Sequence, residues 1–310
     1  METPEPAARG EGDDPRRIDA FIAHLEAERR LSAHTAGAYR HDLDALLKDC
    51  GGAELTRLTA PQLRRALARQ HAAGLGGRSL ARRLSAWRSF FRWLQRRGEI
   101  TDNPCTGIRA PKAPKRLPET LSPDLTGHLL DFEPENFDER CDRALFELIY
   151  SSGLRLSEAI GLDIGVIEAC YGTLRVLGKG AKTREVPVGE TALAAVRDWL
   201  EVRPEHARID EPALFISRRG RRLGPRTVQT RLDRLARARG LEQHVHPHML
   251  RHAFASHLLQ SSGDLRAVQE LLGHASISTT QVYAHLDFQH LAKVYDAAHP
   301  RARKKASEAK

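Results

Sequence analysis

Six residues of this chain carry side chains suited to moving a phosphoryl group: Arg155, Lys179, His248, Arg251, His274 and Tyr283. Two arginines match the two non-bridging oxygens of a phosphodiester, because a guanidinium stays charged and its planar fork binds phosphate bidentately. A lysine and two histidines move protons, and a positioned general acid contributes roughly 10²–10⁴-fold. A tyrosine attacks phosphorus usefully only beside cations and a base, since an unperturbed pKa near 10 leaves about 0.1% phenolate at neutral pH. In such a scheme Tyr283 attacks, Arg155 and Arg251 stabilise the five-coordinate transition state, and Lys179 protonates the leaving 5′-oxygen. His274 bonds the phosphate and His248 assists proton movement near Tyr283. Glu158, one helical turn after Arg155, is the natural partner to orient that guanidinium, with an ordinary surface ion pair as the other reading of the same spacing. The set would cut a nucleic-acid backbone while storing the bond energy in the enzyme. It holds no candidate metal ligands beyond its histidines, and no metal or cofactor is expected.

Local sequence says how these residues must be placed. Residues 144–150 read as an apolar helix ending at Gly153, so that Arg155 opens the next turn. Residues 174–177 and 185–188 read as two short strands joined by a hairpin, 178–183, with Lys179 at its tip. This is no phosphate-binding P-loop, because glycine rather than Ser or Thr follows Lys179. Residues 214–217 are a candidate third strand. From Arg226 onward the chain is helical, with breaks at Gly240, Gly263 and Gly273. Pro247 fits a first helical turn, which puts His248 and Arg251 on one face and turns Leu250, Phe254 and Leu258 inward. Asp264 caps a helix through Leu272, Gly273 stops it, and His274 follows at once. Ser276 or Ser278 starts a short helix carrying Tyr283. His244, His246, His252, His257 and His285 read as helix decoration, although His252 and His257 also have DNA or core partners within reach.

The first third of the chain is helical from 18 to 100. Ser32 suits the cap of a helix through Tyr39, Leu43 and Leu46, and Thr59 with Gln62 makes a capping box around Pro61. Leu80, Leu84, Trp87, Phe91 and Leu94 form one apolar stripe. Arg78, Arg82, Arg83, Arg88, Arg92, Arg96 and Arg97 surround it, with no acid from Arg78 to Arg97 to supply i,i+4 pairs. An unpaired arginine helix suits phosphates or base edges in a groove, which makes Arg82, Arg83, Arg88 and Arg92 the candidate DNA contacts. A solvated helix face is the plainer alternative. Asn103-Pro104 ends the region, and three prolines with four basic residues over 109–118 form a semi-extended linker.

The totals agree with this division. A chain of 310 residues suits two domains, and 41% hydrophobic content excludes global disorder. A net charge of +9 points to a polyanionic partner. Cys50, Cys105, Cys141 and Cys170 are far apart, which argues against a zinc site or disulfide framework and fits a reducing cytosol. The opening Met-Glu-Thr-Pro-Glu-Pro lacks the apolar run of a signal peptide, and nothing approaches the ~18 apolar residues of a membrane span. A soluble cytoplasmic protein is expected.

Three blocks carry a family resemblance: Tyr-Ser-Ser-Gly-Leu-Arg-Leu-Ser-Glu at 150–158, His-Pro-His-Met-Leu-Arg-His-Ala-Phe-Ala-Ser-His-Leu-Leu at 246–259, and Leu-Leu-Gly-His-Ala-Ser-Ile-Ser-Thr-Thr-Gln-Val-Tyr at 271–283. In order and approximate spacing they resemble the tyrosine recombinases (the phage-integrase family) over about 15–300, and within the family the bacterial Xer subgroup. The tail after Tyr283 resembles one branch of that subgroup. The resemblance implies that Arg155, Lys179, His248, Arg251, His274 and Tyr283 are the catalytic set. It also implies a mainly α fold with a small β-sheet, in which a helical core-binding domain and an α+β catalytic domain clamp duplex DNA. The expected division is a leader, 1–14, the core-binding domain, 15–106, a basic linker, 107–120, the catalytic domain, 121–300, and a basic tail, 301–310.

The implied reaction passes through a 3′-phosphotyrosyl link, a free 5′-hydroxyl and a Holliday junction. The implied role is resolving chromosome dimers at cell division. Implied partners are a duplex recombination site, an XerD-like recombinase in a heterotetramer, and an FtsK-type translocase. The apolar positions Leu286, Phe288, Leu291, Val294 and Tyr295 would dock into a neighbouring protomer, with a core helix of the same chain as the alternative. Residues 164–171 depart from the family pattern by being more apolar than expected. Alternatives are a mobile-element integrase or lone Xer-type recombinase, a type IB topoisomerase, and a noncatalytic DNA-binding protein.

Overall fold

The computed structural model describes residues 13–28, 33–51, 53–111, 120–168, 170, 172–177, 183–272 and 294–302. Ser32, Lys179, Gly273, His274, Ser276, Ser278, Tyr283, His285, Leu286, Phe288 and Leu291 lie outside the described residues, as do 1–12 and 303–310. The chain divides into two compact units, 1–117 and 118–310. Among the described residues, no helix is long and apolar enough to cross a membrane.

Among the described residues of the first unit, four α-helices enclose one core: α1 (Asp13–Ala27), α2 (Ala33–Asp49), α3 (Ala60–Ala72) and α4 (Gly77–Arg96). The expected stripe of α4 is buried, and Phe90 meets Phe21 of α1 edge to face with ring centroids 5.4 Å apart. At the start of α3 the Thr59 amide donates to Gln62 Oε1 at 2.8 Å, with Pro61 in the first turn, as the capping-box spacing predicts.

The premise that the α4 arginines lack acidic partners fails. Asp42, fully buried on α2, hydrogen-bonds the Arg82 guanidinium, and Arg83 Nε stands 3.3 Å from its other oxygen. Arg88 donates to the Ile108 carbonyl. Arg97 lies over the Trp93 ring at 4.6 Å and bonds Glu99 at 2.7 Å. The missing acids come from other elements, about forty positions away in the case of Asp42, so no i,i+4 rule could reveal them.

The second unit is built around α6 (Phe137–Ser152), preceded by α5 (Pro123–Leu130) and followed by short α7 (Leu156–Ile160) and α8 (Ile164–Glu168). From Ala144 to Tyr150 every residue of α6 is buried. Strands β1 (Thr173–Leu177) and β2 (Thr183–Pro187) pair antiparallel with Leu174 opposite Val186. Then come α9 (Glu190–Val202), α10 (Pro225–Ala238), α11 (Pro247–Ser262) and α12 (Leu265–Leu272). The fold is mainly α with a small sheet, as expected. Over 164–168 the apolar stretch is the short helix α8, which buries Ile167.

Residues 214–217 do not form a third strand; they enter only an isolated bridge, Ile216 to Arg222. The segment instead folds back on the turn that follows it, Leu223 N donating to Phe215 O at 3.0 Å and Ser217 N to Arg221 O at 2.9 Å, while side chains take the carbonyls at its start. Trp199 Nε1 donates to Leu214 O at 2.9 Å, and Arg203 donates to Ala213 O at 2.7 Å.

The segment 294–302 packs on the chain's own core. Tyr295 is buried, its hydroxyl 2.8 Å from Ser151 Oγ, and His299 stacks on its ring at 5.0 Å. Arg301 reaches Asp131 at 2.7 Å and Glu147 at 3.2 Å. For Val294 and Tyr295 the alternative of an intramolecular core helix therefore holds. Position 189 must be glycine for this seat: a Cβ there would lie 2.0 Å from Arg301 O.

Candidate active site

The site begins where α6 stops. Gly153 takes a left-handed conformation (φ +58°) and turns the chain so that Arg155 becomes the N-cap of α7. One turn later Glu158 folds back on it. The Arg155 amide donates to Glu158 Oε2 and its Nη1 to Oε1, both at 2.8 Å. A second arginine completes the ring of donors: Arg184 of β2 donates through Nη1 and Nη2 to the same two oxygens at 2.8 and 2.9 Å. Each carboxylate oxygen thus accepts two hydrogen bonds, which fills its lone-pair sites.

Arg251 enters from α11, whose first turn holds Pro247 as expected. It is almost fully buried and donates to Gly153 O through Nη1 and to Leu272 O through Nη2 at 2.7 Å. Its Nη1 stands 4.0 Å from Glu158 Oε2. Arg184 Nε donates to Leu271 O at 3.0 Å. The Leu271 and Leu272 carbonyls of α12 are therefore each taken by a guanidinium. Asp264 caps the other end of α12 through the Ala267 amide at 2.9 Å, as its position predicts.

Three guanidinium groups on one carboxylate leave a surplus of positive charge. Burial alone would raise the Glu158 pKa, but the bonds from Arg184 and from the Arg155 amide reverse that and hold it at about 2. Arg251 is brought down to about 10 by burial and by neighbouring Arg155, and stays protonated at pH 7. His248 stands on the same helix, its pKa lowered by partial loss of water around its ring, by His252, and by Arg251 and Arg155. The neutral ring that results is free to accept a proton.

Arg155, His248, Arg251 and His252 line one cavity of about 490 Å³, floored by Leu259, Val268 and Leu272. A larger cleft of about 740 Å³ lies in the first unit, but its charges answer one another: Arg17 is paired with Asp13, Asp14, Glu54 and Glu99. The smaller cavity, where the guanidinium groups outnumber the one carboxylate they share, is the better place for an anion.

Of the six residues expected to do chemistry, the structure brings Arg155, His248 and Arg251 together; Lys179, His274 and Tyr283 lie outside the described residues. His257 has found a core partner. Its Nε2 faces the Leu121 carbonyl at 2.9 Å and must carry the proton, so Nδ1 accepts from the Tyr150 hydroxyl at 2.9 Å. Arg184 was not anticipated. A signal did exist: strand alternation places it on the inward face of β2 with Val186, where a charge needs a partner.

The comparisons with known proteins agree with this architecture. Residues 119–290 match the phage integrase family, and residues 18–98 match the N-terminal SAM-like domain of phage integrases. The chain belongs to the phage integrase family and is a tyrosine recombinase, an enzyme of site-specific DNA recombination. Tyrosine recombinase XerC of Chromobacterium violaceum is 56% identical over 93% of this chain and 96% of its own length. XerC of Azotobacter vinelandii is 54% identical over 94% of this chain and 98% of its own.

Among solved structures, the XerH site-specific recombinase bound to palindromic difH substrate, a post-cleavage complex, superposes with a TM-score of 0.66 at 23% identity. That match covers 93% of this chain and 90% of that one. A lambda integrase (75–356) dimer bound to a COC′ core site gives 0.66 at 21% identity, over 87% and 99%. At these identities the likeness is one of fold.

Proposed function

We propose that this chain is the XerC-type member of a recombinase pair that cuts and rejoins duplex DNA at a chromosomal site in the cytoplasm, resolving chromosome dimers at cell division. Its partners are an XerD-like recombinase in a heterotetramer and an FtsK-type translocase. The single observation that carries the reading is the cavity on which Arg155 and Arg251 converge, oriented by one saturated carboxylate. The XerC names of relatives at 51–56% identity support the finer assignment. In the division of labour we infer, residues 15–106 grip DNA, 107–120 form the linker, and 121–300 perform catalysis.

The scissile phosphate sits between Arg155 and Arg251, with His274 bonding a further oxygen. The Tyr283 hydroxyl attacks phosphorus, its proton passing to the neutral His248 ring as the Tyr283 Oη–P bond forms. The P–O5′ bond breaks and Lys179 protonates the leaving oxygen, yielding a 3′-phosphotyrosyl link and a free 5′-hydroxyl. Attack by a 5′-hydroxyl from the other duplex reverses these steps and builds a Holliday junction. Stabilisation of the transition-state charge is the largest share of the work, and preorganised arginines do it without reorganisation.

Trapping on a nicked suicide duplex carrying a candidate chromosomal site tests this reading. The wild-type chain, with an XerD-like partner, should form a covalent DNA adduct, and Tyr283→Phe should bind the duplex without forming one. An adduct with the Phe variant overturns the nucleophile. Relaxation of a supercoiled plasmid lacking any such site would favour a type IB topoisomerase instead.

A further inference from the structure

We infer that Arg184 is a positioning residue of the phosphate site: through Glu158 it sets the guanidinium of Arg155, and through the Leu271 carbonyl it fixes the end of α12. The inference rests on the reading of the cavity as a phosphodiester site. Arg184 is only 12% exposed in its side chain, and each of its three nitrogens is hydrogen-bonded within the protein. A guanidinium so engaged orders its neighbours and leaves the DNA to others.

Glu158 is the element it acts on. Its carboxylate is 5% exposed and takes two of its four hydrogen bonds from Arg184. Remove them, and a buried carboxylate is left with two empty acceptor sites, a state that costs more than the bonds themselves. Among the described residues, the donors at hand to fill them are those of Arg155, already bonded to Glu158, and of Arg251, whose Nη1 stands 4.0 Å away. Either guanidinium must then turn from the cavity toward the carboxylate. Leu271 O loses its donor in the same step, loosening the helix end that Arg251 holds through Leu272. A displacement of about 1 Å in such groups slows a reaction by about 10²-fold.

The test is the single-turnover rate of covalent trapping on the suicide duplex, with either an ordinary scissile phosphodiester or a methylphosphonate in its place. The methylphosphonate lacks the negative charge that Arg155 and Arg251 neutralise. On the ordinary diester, Arg184→Gln should trap about 10²-fold more slowly than wild type. On the methylphosphonate the deficit should be smaller by about tenfold or more, the value of one charge-assisted hydrogen bond. Arg184→Lys, which keeps the charge and one donor, should recover part of the diester rate; should Arg184→Gln not fold, this variant carries the same two-substrate comparison.

Equal deficits on both substrates, or no deficit, overturn the inference. Failure of the wild-type chain itself to trap DNA overturns the functional reading beneath it, so the two failures are told apart.

Discussion

Gly153 and Phe254 meet so closely that no side chain fits at position 153: a Cβ there would lie 2.4 Å from the Phe254 ring, on a backbone with φ of +58°. The contact joins the end of α6 to the core face of α11. Because Gly153 O also accepts the Arg251 guanidinium, it sets the spacing between Arg251 and Arg155. Gly153→Ala is expected to destabilise the chain by about 2–4 kcal/mol, from left-handed strain together with overpacking. Urea denaturation measures this. Phe254→Leu in the same chain removes the ring from the clash and should recover part of the loss. Strictly additive costs in the double variant would show that the contact is not the cause.

Glu158 predicts how the site responds to acid. Its folded pKa of about 2 lies below the ordinary carboxyl value of 4.5. The sign follows from proton uptake on unfolding. The stabilisation is fully present above about pH 4.5 and is lost as pH falls toward 2. It amounts to something on the order of 3 kcal/mol. Glu158→Gln should therefore be less stable than wild type at pH 7 and show a flatter decline between pH 5 and 2. Denaturation midpoints across that window decide it, and parallel curves would refute the assignment.

Much of the second unit was legible because its signals are local. The helix stop at Gly153 and the start of the next turn at Arg155 are two residues apart, and His248 and Arg251 are an i,i+3 pair, so each signal lies within one turn. What escaped depends on partners far along the chain. Arg184 gains its meaning from Glu158, 26 positions earlier, and from Leu271, 87 later. The 214–217 segment looks like a strand by composition, but Trp199 takes the Leu214 carbonyl and the rest bonds the turn at 221–223. Tyr295 reads as a docking residue until its hydroxyl is found 2.8 Å from Ser151 Oγ, 144 positions away in sequence.

Glu147 gives the opposite pH response. Burial raises its pKa to about 7, against the pull of Arg301. The folded chain thus keeps a proton at Glu147 that the unfolded chain loses near pH 4.5, and the contribution of this group to stability falls as pH rises from about 4.5 to about 7. Glu147→Gln should remove that falling contribution, leaving those of Asp142, whose pKa burial raises to about 6, and of His299, whose pKa burial lowers to about 3 and which acts with the opposite sign. Thermal melting at pH 5, 6 and 7 reads it directly. An unchanged slope in the variant would show that Glu147 is not the group being titrated.

The arginines of α4 should separate into two kinds. Arg83 is 12% exposed and stands beside fully buried Asp42, whereas Arg92 is exposed. Arg83→Ala leaves a buried carboxylate with fewer cations, so it should lower stability by roughly 1–3 kcal/mol. Arg92→Ala should leave stability within about 0.5 kcal/mol of wild type. If Arg92 meets a phosphate, its loss weakens duplex binding and reduces the log–log salt slope by about 0.9. Binding isotherms at several salt concentrations, set beside denaturation curves, make the division visible. It would collapse if Arg83→Ala changed only the salt slope, or if Arg92→Ala changed only the melting curve. In the first case the Asp42 pairing is dispensable and Arg83 belongs to the DNA face; in the second Arg92 supports the helix and the phosphate contact must be sought among its neighbours.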